Sequence, residues 1–317
     1  MHPIEIITDV QDRLATLFQS IPGSIPDTLE EEILALVNDV DQAYEQNQSA
    51  VVASIFFPAE VNYCEKHSVD CAIICGCIAR AMEFDEEKRQ LLMCAALTMN
   101  IGFIKLQNKL HNFSGQLPPE VKQAINRHPR QSWVLLKKAG IKQKDWLDTV
   151  LHHHERLDGT GYPQKTPGSE LSESTRILIL ADLYGAIITP RGYRPAALST
   201  ELMRSFLVKY SNALDTKIVA YFMRCFGLYP PGVVVRLKSG QSSLVLAVGK
   251  SLQAPIVQQM TSGEPEGEPY TLNEERIDSV FVVSDDSSLK IFPQEFWSET
   301  AEDEEAEEAE EAEEVEE

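Results

Sequence analysis

"HHHERLDGTGYP", running from His152 to Pro163, sets three histidines and an acid ahead of a glycine-rich turn that closes on Tyr-Pro. Imidazole titrates nearest to neutral pH and is the commonest metal ligand. His153 and His154 are adjacent, so on one helix their side chains would diverge by about 100°. They then serve two directions of a site, or one binds while the other supports it. In the turn itself, Gly159 and Gly161 permit backbone conformations that a Cβ forbids. Asp158 can brace the turn through its own backbone, and Tyr162-Pro163 gives a rigid exit. A DGxG stretch alone marks only a turn, so the rest of the chain has to decide.

Upstream and downstream the pattern is helical from about Asn62 to Gly227. His67, Cys71, Cys75, Ile78 and Met82 fall on one stripe at helical spacing. "LLMCAALTM" is apolar all round and predicts a buried central helix. Pro118 and Pro119 open a helix that carries His128-Pro129 and can end at Gly140. "STRILILADLYGAIIT" predicts another buried helix, and it places Asp182 among apolar neighbours. An unpartnered carboxylate there would cost several kcal/mol, so Asp182 needs a cation, a metal or strong donors. An arginine pair or a capped loop would satisfy it equally well. The first fifty-odd residues predict two or three helices broken at "SIPGSIPD", with Asp27 or Thr28 as a cap.

After "LYPPG" the period changes to two. "VVVRL-KSGQ-SSLVLAV" predicts a β-hairpin, and "DSVFVV" and "SLKIF" are candidates for further strands. The reading is a mainly α chain: N-terminal helices over 1–58, a helical domain over 59–228, a small β extension over 229–296 and an acidic tail over 297–317. Thirteen acids and no base lie between Glu299 and Glu317, out of a net charge of −21 over 317 residues. That run predicts a solvated, disordered tail, and no basic patch suggests a surface for duplex nucleic acid. No long uncharged apolar run predicts a membrane span, and no leader is evident. The expectation is a cytoplasmic, reduced protein. Its six cysteines then read mainly as small core residues, although His67, Cys71 and Cys75 share a helix face that could take a soft metal.

"HHERLDGTGYP" resembles the signature of the HD-GYP family of metal-dependent phosphodiesterases that hydrolyse cyclic di-GMP. "YCEKHSVDCA", "HPRQSWVLL", "RILILADLYGAIITPRGYR", "LDTKIVAYF" and "GLYPPGVVVRLKSGQ" resemble further family segments, covering roughly Asn62 to Lys250. The resemblance implies a helical bundle of the HD type with two or three metal ions, often iron or manganese. It implies metal ligands at His67, His128, His153, His154 and Asp182. It places Arg191 and Arg194 near ligand phosphates, and Asp158, Gly159, Gly161, Tyr162 and Pro163 beside the site.

One segment departs from the family. Where it has His-Asp followed by Ile-Gly-Lys, this chain reads "MNIGF": Met99, Asn100 and Phe103 stand at the histidine, aspartate and lysine. Gly185 also stands where an acid often follows the Asp182 position. A thioether suits hard divalent ions poorly, a neutral amide cannot bridge two metals as an anion, and a phenyl ring cannot hold a phosphate. The expectation is a degenerate module of cyclic di-GMP signalling with no catalytic residue at those three positions. It would keep one divalent ion (Fe, Mn or Zn) on the remaining histidines rather than a binuclear centre. It would bind cyclic di-GMP, or a diguanylate cyclase or other signalling protein. An active cyclic di-GMP phosphodiesterase and a mononuclear phosphohydrolase are the alternatives.

Overall fold

Helical periodicity shapes the chain as far as Phe226, and strand alternation shapes the C-terminal part. The computed structural model describes residues 1–21, 25–111, 113, 118–188, 210, 212–282 and 291–297. The acidic tail, Arg191 and Arg194 lie outside the described residues. The helices are α1 (Pro3–Ser20), α2 (Leu29–Gln46), α3 (Gln48–Ser54), α4 (Tyr63–Ala81), α5 (Glu86–Thr98), α6 (Ile104–His111), α7 (Pro119–Lys138), α8 (Lys144–His152), α9 (Glu173–Ile188) and α10 (Thr216–Phe226). No described helix is long and apolar enough to cross a membrane.

Local chemistry sets several helix starts. Asp85 accepts from the Lys88 amide at 2.8 Å to cap α5, and Asn47 accepts from Ala50 at 2.8 Å to cap α3. Thr28 does precede α2, but its hydroxyl donates to Glu32 at 2.5 Å and caps no amide. Pro119 opens α7, and after its last turn Gly140 takes φ +90°, a conformation that favours glycine.

α4 is the hub. It packs against α5 and α9, and also touches α1, α6 and α10. Val69, Ala72, Ile73, Ile74 and Ile78 are buried on its several sides. One apolar core runs from Ile7 in α1 through α4, α5 and α9 to Leu272. The N-terminal helices are thus packed into the same core as the site-bearing ones. Asp41 of α2 reinforces this by taking Arg80 of α4 at 3.0 Å and Arg89 of α5 at 3.1 Å. All six cysteines are unpaired and buried.

The expected hairpin forms from β1 (Val234–Leu237) and β2 (Ser242–Ser251), with Val234 opposite Leu244. β3 (Ala254–Thr261), β4 (Glu264–Thr271) and β5 (Ile277–Phe281) complete an antiparallel sheet in the order β4-β3-β2-β1-β5. "DSVFVV" supplies β5. Of "SLKIF", only Ile291 and Phe292 are described, and they form no strand.

Candidate metal centre

α8 ends at His152; His153 is its C-cap, still in helical conformation, and His154 follows. The two imidazoles diverge, His153 toward His128 of α7 and His154 toward Asp182 of α9. The His153 Nδ1 lies 2.7 Å from the Val150 carbonyl, and the His128 Nδ1 lies 2.6 Å from that of Ile125. A carbonyl only accepts, so each Nδ1 carries the proton and each Nε2 is a bare lone pair in the neutral ring. Burial lowers the His153 pKa to about 3 and pushes His128 well below the imidazole range, and the nearby histidines add to the effect. Both rings are therefore neutral at pH 7.

Their two Nε2 atoms stand 3.0 Å apart. Two lone pairs at that distance repel unless a cation lies between them. Metal–nitrogen bonds of about 2.0–2.1 Å meeting at a right angle span about 3.0 Å. His154 completes the set: its ring is 4.2 Å from that of His153 and edge-on to His128 at 4.9 Å. The ligand atoms of His128, His153 and His154 all lie within 4.8 Å of one another. The chemistry of these donors fits a single divalent ion.

Asp182 answers the question its position in α9 raised. Its Oδ1 is 2.9 Å from His67 Nε2, and its Oδ2 is 3.4 Å from His154 Nδ1. Burial presses its carboxyl upward, but His154 and the His67 hydrogen bond outweigh this and hold it below the usual range. Among the described residues it is an anion joining two histidines, with no arginine partner.

The 99–103 segment reaches the histidines through Phe103, which stacks on the His128 ring at 5.0 Å; Met99 is fully buried and Asn100 nearly so. Two bonds fix this segment to the histidine side. Trp146 of α8 donates to Thr98 Oγ1 at 2.8 Å, and the Gly102 amide donates to Ser132 of α7 at 3.0 Å. A Cβ at 102 would come within 2.6 Å of the Ser132 nitrogen, so α7 can approach this closely only over a glycine.

The GYP loop folds back on His154. The Asp158 carboxylate accepts from the Thr160 amide at 2.9 Å and from its hydroxyl at 2.6 Å, bracing the turn. Gly159 takes φ +72°. The Tyr162 amide donates to the His154 carbonyl at 3.1 Å, and its ring lies 4.8 Å from the His154 ring. Pro163 follows a cis peptide bond. Gly161 crosses Glu155 so closely that a Cβ would stand 2.4 Å from the Glu155 Cα. Gly161→Ala should therefore lower stability by about 1–3 kcal/mol, read as a shift in the denaturation midpoint.

Sequence reasoning singled out the imidazoles and Asp182, which the fold brings together, but undervalued Cys71, whose Sγ lies 3.7 Å from His67 Nε2. It missed Tyr63, which stacks on His67 at 5.3 Å. The signal for both was present, since positions 63, 67 and 71 are four apart on one helix.

A family model described as an HD domain matches residues 31–218. A cyclic di-GMP phosphodiesterase of Pseudomonas aeruginosa is 28% identical over 70% of this chain and 54% of its own length. A 3'3'-cGAMP-specific phosphodiesterase of Vibrio cholerae is 30% identical over 54% of this chain and 37% of its own. The chain thus spans about half or less of these relatives. A solved HDG"Y"P protein from Bdellovibrio bacteriovorus shares the fold, with a TM-score of 0.57 at 15% identity over 69% of this chain and 70% of that one.

Proposed function

The chain belongs to the HD domain family, in its HD-GYP branch, and on that premise we propose that it is a degenerate member: a regulatory module that senses a cyclic dinucleotide and is not a two-metal phosphodiesterase. The observation that carries this reading is the wall of Met99, Asn100 and Phe103. A two-metal hydrolase activates a bridging water and clamps attacking and leaving oxygens. That needs an anionic bridge between the ions and a cation over the phosphate. Asn100 is neutral, and Phe103 is committed to packing on His128.

His128, His153 and His154 hold one divalent ion in this reading, and Asp182 orients His154 from behind. Such an ion supplies Lewis-acid charge for a phosphate oxygen. Tyr162 closes the site from the loop side. The phosphate contacts implied for Arg191 and Arg194 belong to the proposal alone. A diguanylate cyclase or another signalling protein would be the partner that reads the bound state.

Titration calorimetry with cyclic di-GMP and with 3'3'-cGAMP, run beside product analysis in manganese or iron, tests this. The expected result is saturable binding of one of the two, with linear dinucleotide or GMP no higher than in His153→Ala. Product clearly above that control would replace this reading with the second one, an active phosphodiesterase. The convergence of His128, His153, His154 and Asp182 favours that second reading. Absence of binding by either nucleotide would leave a protein scaffold.

A further inference from the structure

We propose that Cys71 makes the His67 side of the centre a separate, thiolate-ligated site for a soft divalent ion such as zinc. The proposal extends the metal-binding reading to His67 and Cys71, which the three-histidine ion does not use, and it can fail independently. His67, Cys71 and Asp182 are buried, and one ligand atom from each lies within 4.8 Å of the others. The Sγ of Cys71 is 3.7 Å from His67 Nε2. A tetrahedral ion with metal–sulfur and metal–nitrogen bonds of about 2.3 and 2.0–2.1 Å sets those atoms about 3.6 Å apart. The 2.9 Å contact between His67 and Asp182 has only to open by a few tenths of an ångström.

Gly185 leaves the room this needs, because a Cβ there would stand 3.1 Å from the His67 ring and 3.5 Å from the Cys71 sulfur. Tyr63 stacks on the His67 ring nearly parallel, at 10°, and holds it facing the sulfur. Among the described residues, no other cysteine shares such a set with a histidine and a carboxylate. On binding, the metal–sulfur bond forms as the S–H bond breaks, and the proton leaves to solvent. Thiolate in place of oxygen ligands turns the preference from manganese toward zinc and cobalt.

The test is cobalt(II) titration of the metal-free full chain under nitrogen, with bound cobalt measured by equilibrium dialysis. A near-ultraviolet thiolate-to-cobalt charge-transfer band should grow with cobalt, vanish in Cys71→Ser, and persist in Cys75→Ser and in His128→Ala/His153→Ala. Should Cys71→Ser lose its circular dichroism signature, Cys71→Ala, which keeps a small apolar group, takes its place. Bound cobalt without the band in the unmodified chain overturns this inference and leaves the three-histidine reading standing. A band that survives loss of Cys71 also overturns it. No bound cobalt at all removes both.

Discussion

Met99→His, Asn100→Asp and Phe103→Lys, introduced together, should raise bound manganese from well below one to about two ions per chain. The unmodified centre offers four imidazoles, one thiol and a single carboxylate, and manganese ranks lowest among the first-row ions for such nitrogen- and sulfur-rich donors. The triple variant adds an imidazole, an anionic oxygen donor and a cation on the segment whose Phe103 stacks on His128. These groups enter fully or nearly fully buried positions. Without an ion they would be unpaired and costly. Folding of the variant should therefore depend on metal: manganese at about 100 times its dissociation constant would return about 2.7 kcal/mol. Metal analysis and the denaturation midpoint, each with and without manganese, decide the matter. A folded variant with no extra manganese would mean that the wall and the histidines do not face one ion pair.

Trp146→Ala should cost about 3–5 kcal/mol. Trp146 is fully buried where α8 meets α5, and its indole N–H donates to Thr98 Oγ1. Removing it opens a cavity and also unties the two walls of the centre from each other. Trp146→Phe keeps most of the volume and should lose only about 1–2 kcal/mol, the worth of the hydrogen bond and a partial cavity. Urea midpoints report both. A drop under about 1 kcal/mol for the alanine variant would show that the interface can re-form without the indole.

The helices were legible because the signal is strong: apolar stripes, capping acids, and prolines and glycines at their ends. The imidazoles and Asp182 were legible as chemistry out of place, a carboxylate in an apolar helix and histidines in a row. Sequence spacing said less about which groups meet. Cys71 looks like the five other buried cysteines until the fold sets Asp182 of α9 across from it. That Phe103 packs on His128 depends on how closely α7 crosses Gly102, which is a property of two distant segments. β4 was invisible for another reason. Its sequence, "EPEGEPYT", carries two prolines, a glycine and three glutamates, and so no alternation. Among the described residues it pairs only with β3, at the end of the sheet, where the missing proline donors are tolerated.

The composition of β4 also limits how copies of this chain can meet. An outermost strand normally invites another chain to extend the sheet by backbone pairing, the route to β-augmentation and to aggregation. Here two of the eight residues have no amide hydrogen to offer, and Glu264, Glu266 and Glu268 line the exposed strand. A second copy laid alongside would meet gaps in the ladder and a row of like charges. Among the described residues, that edge is protected against self-templating.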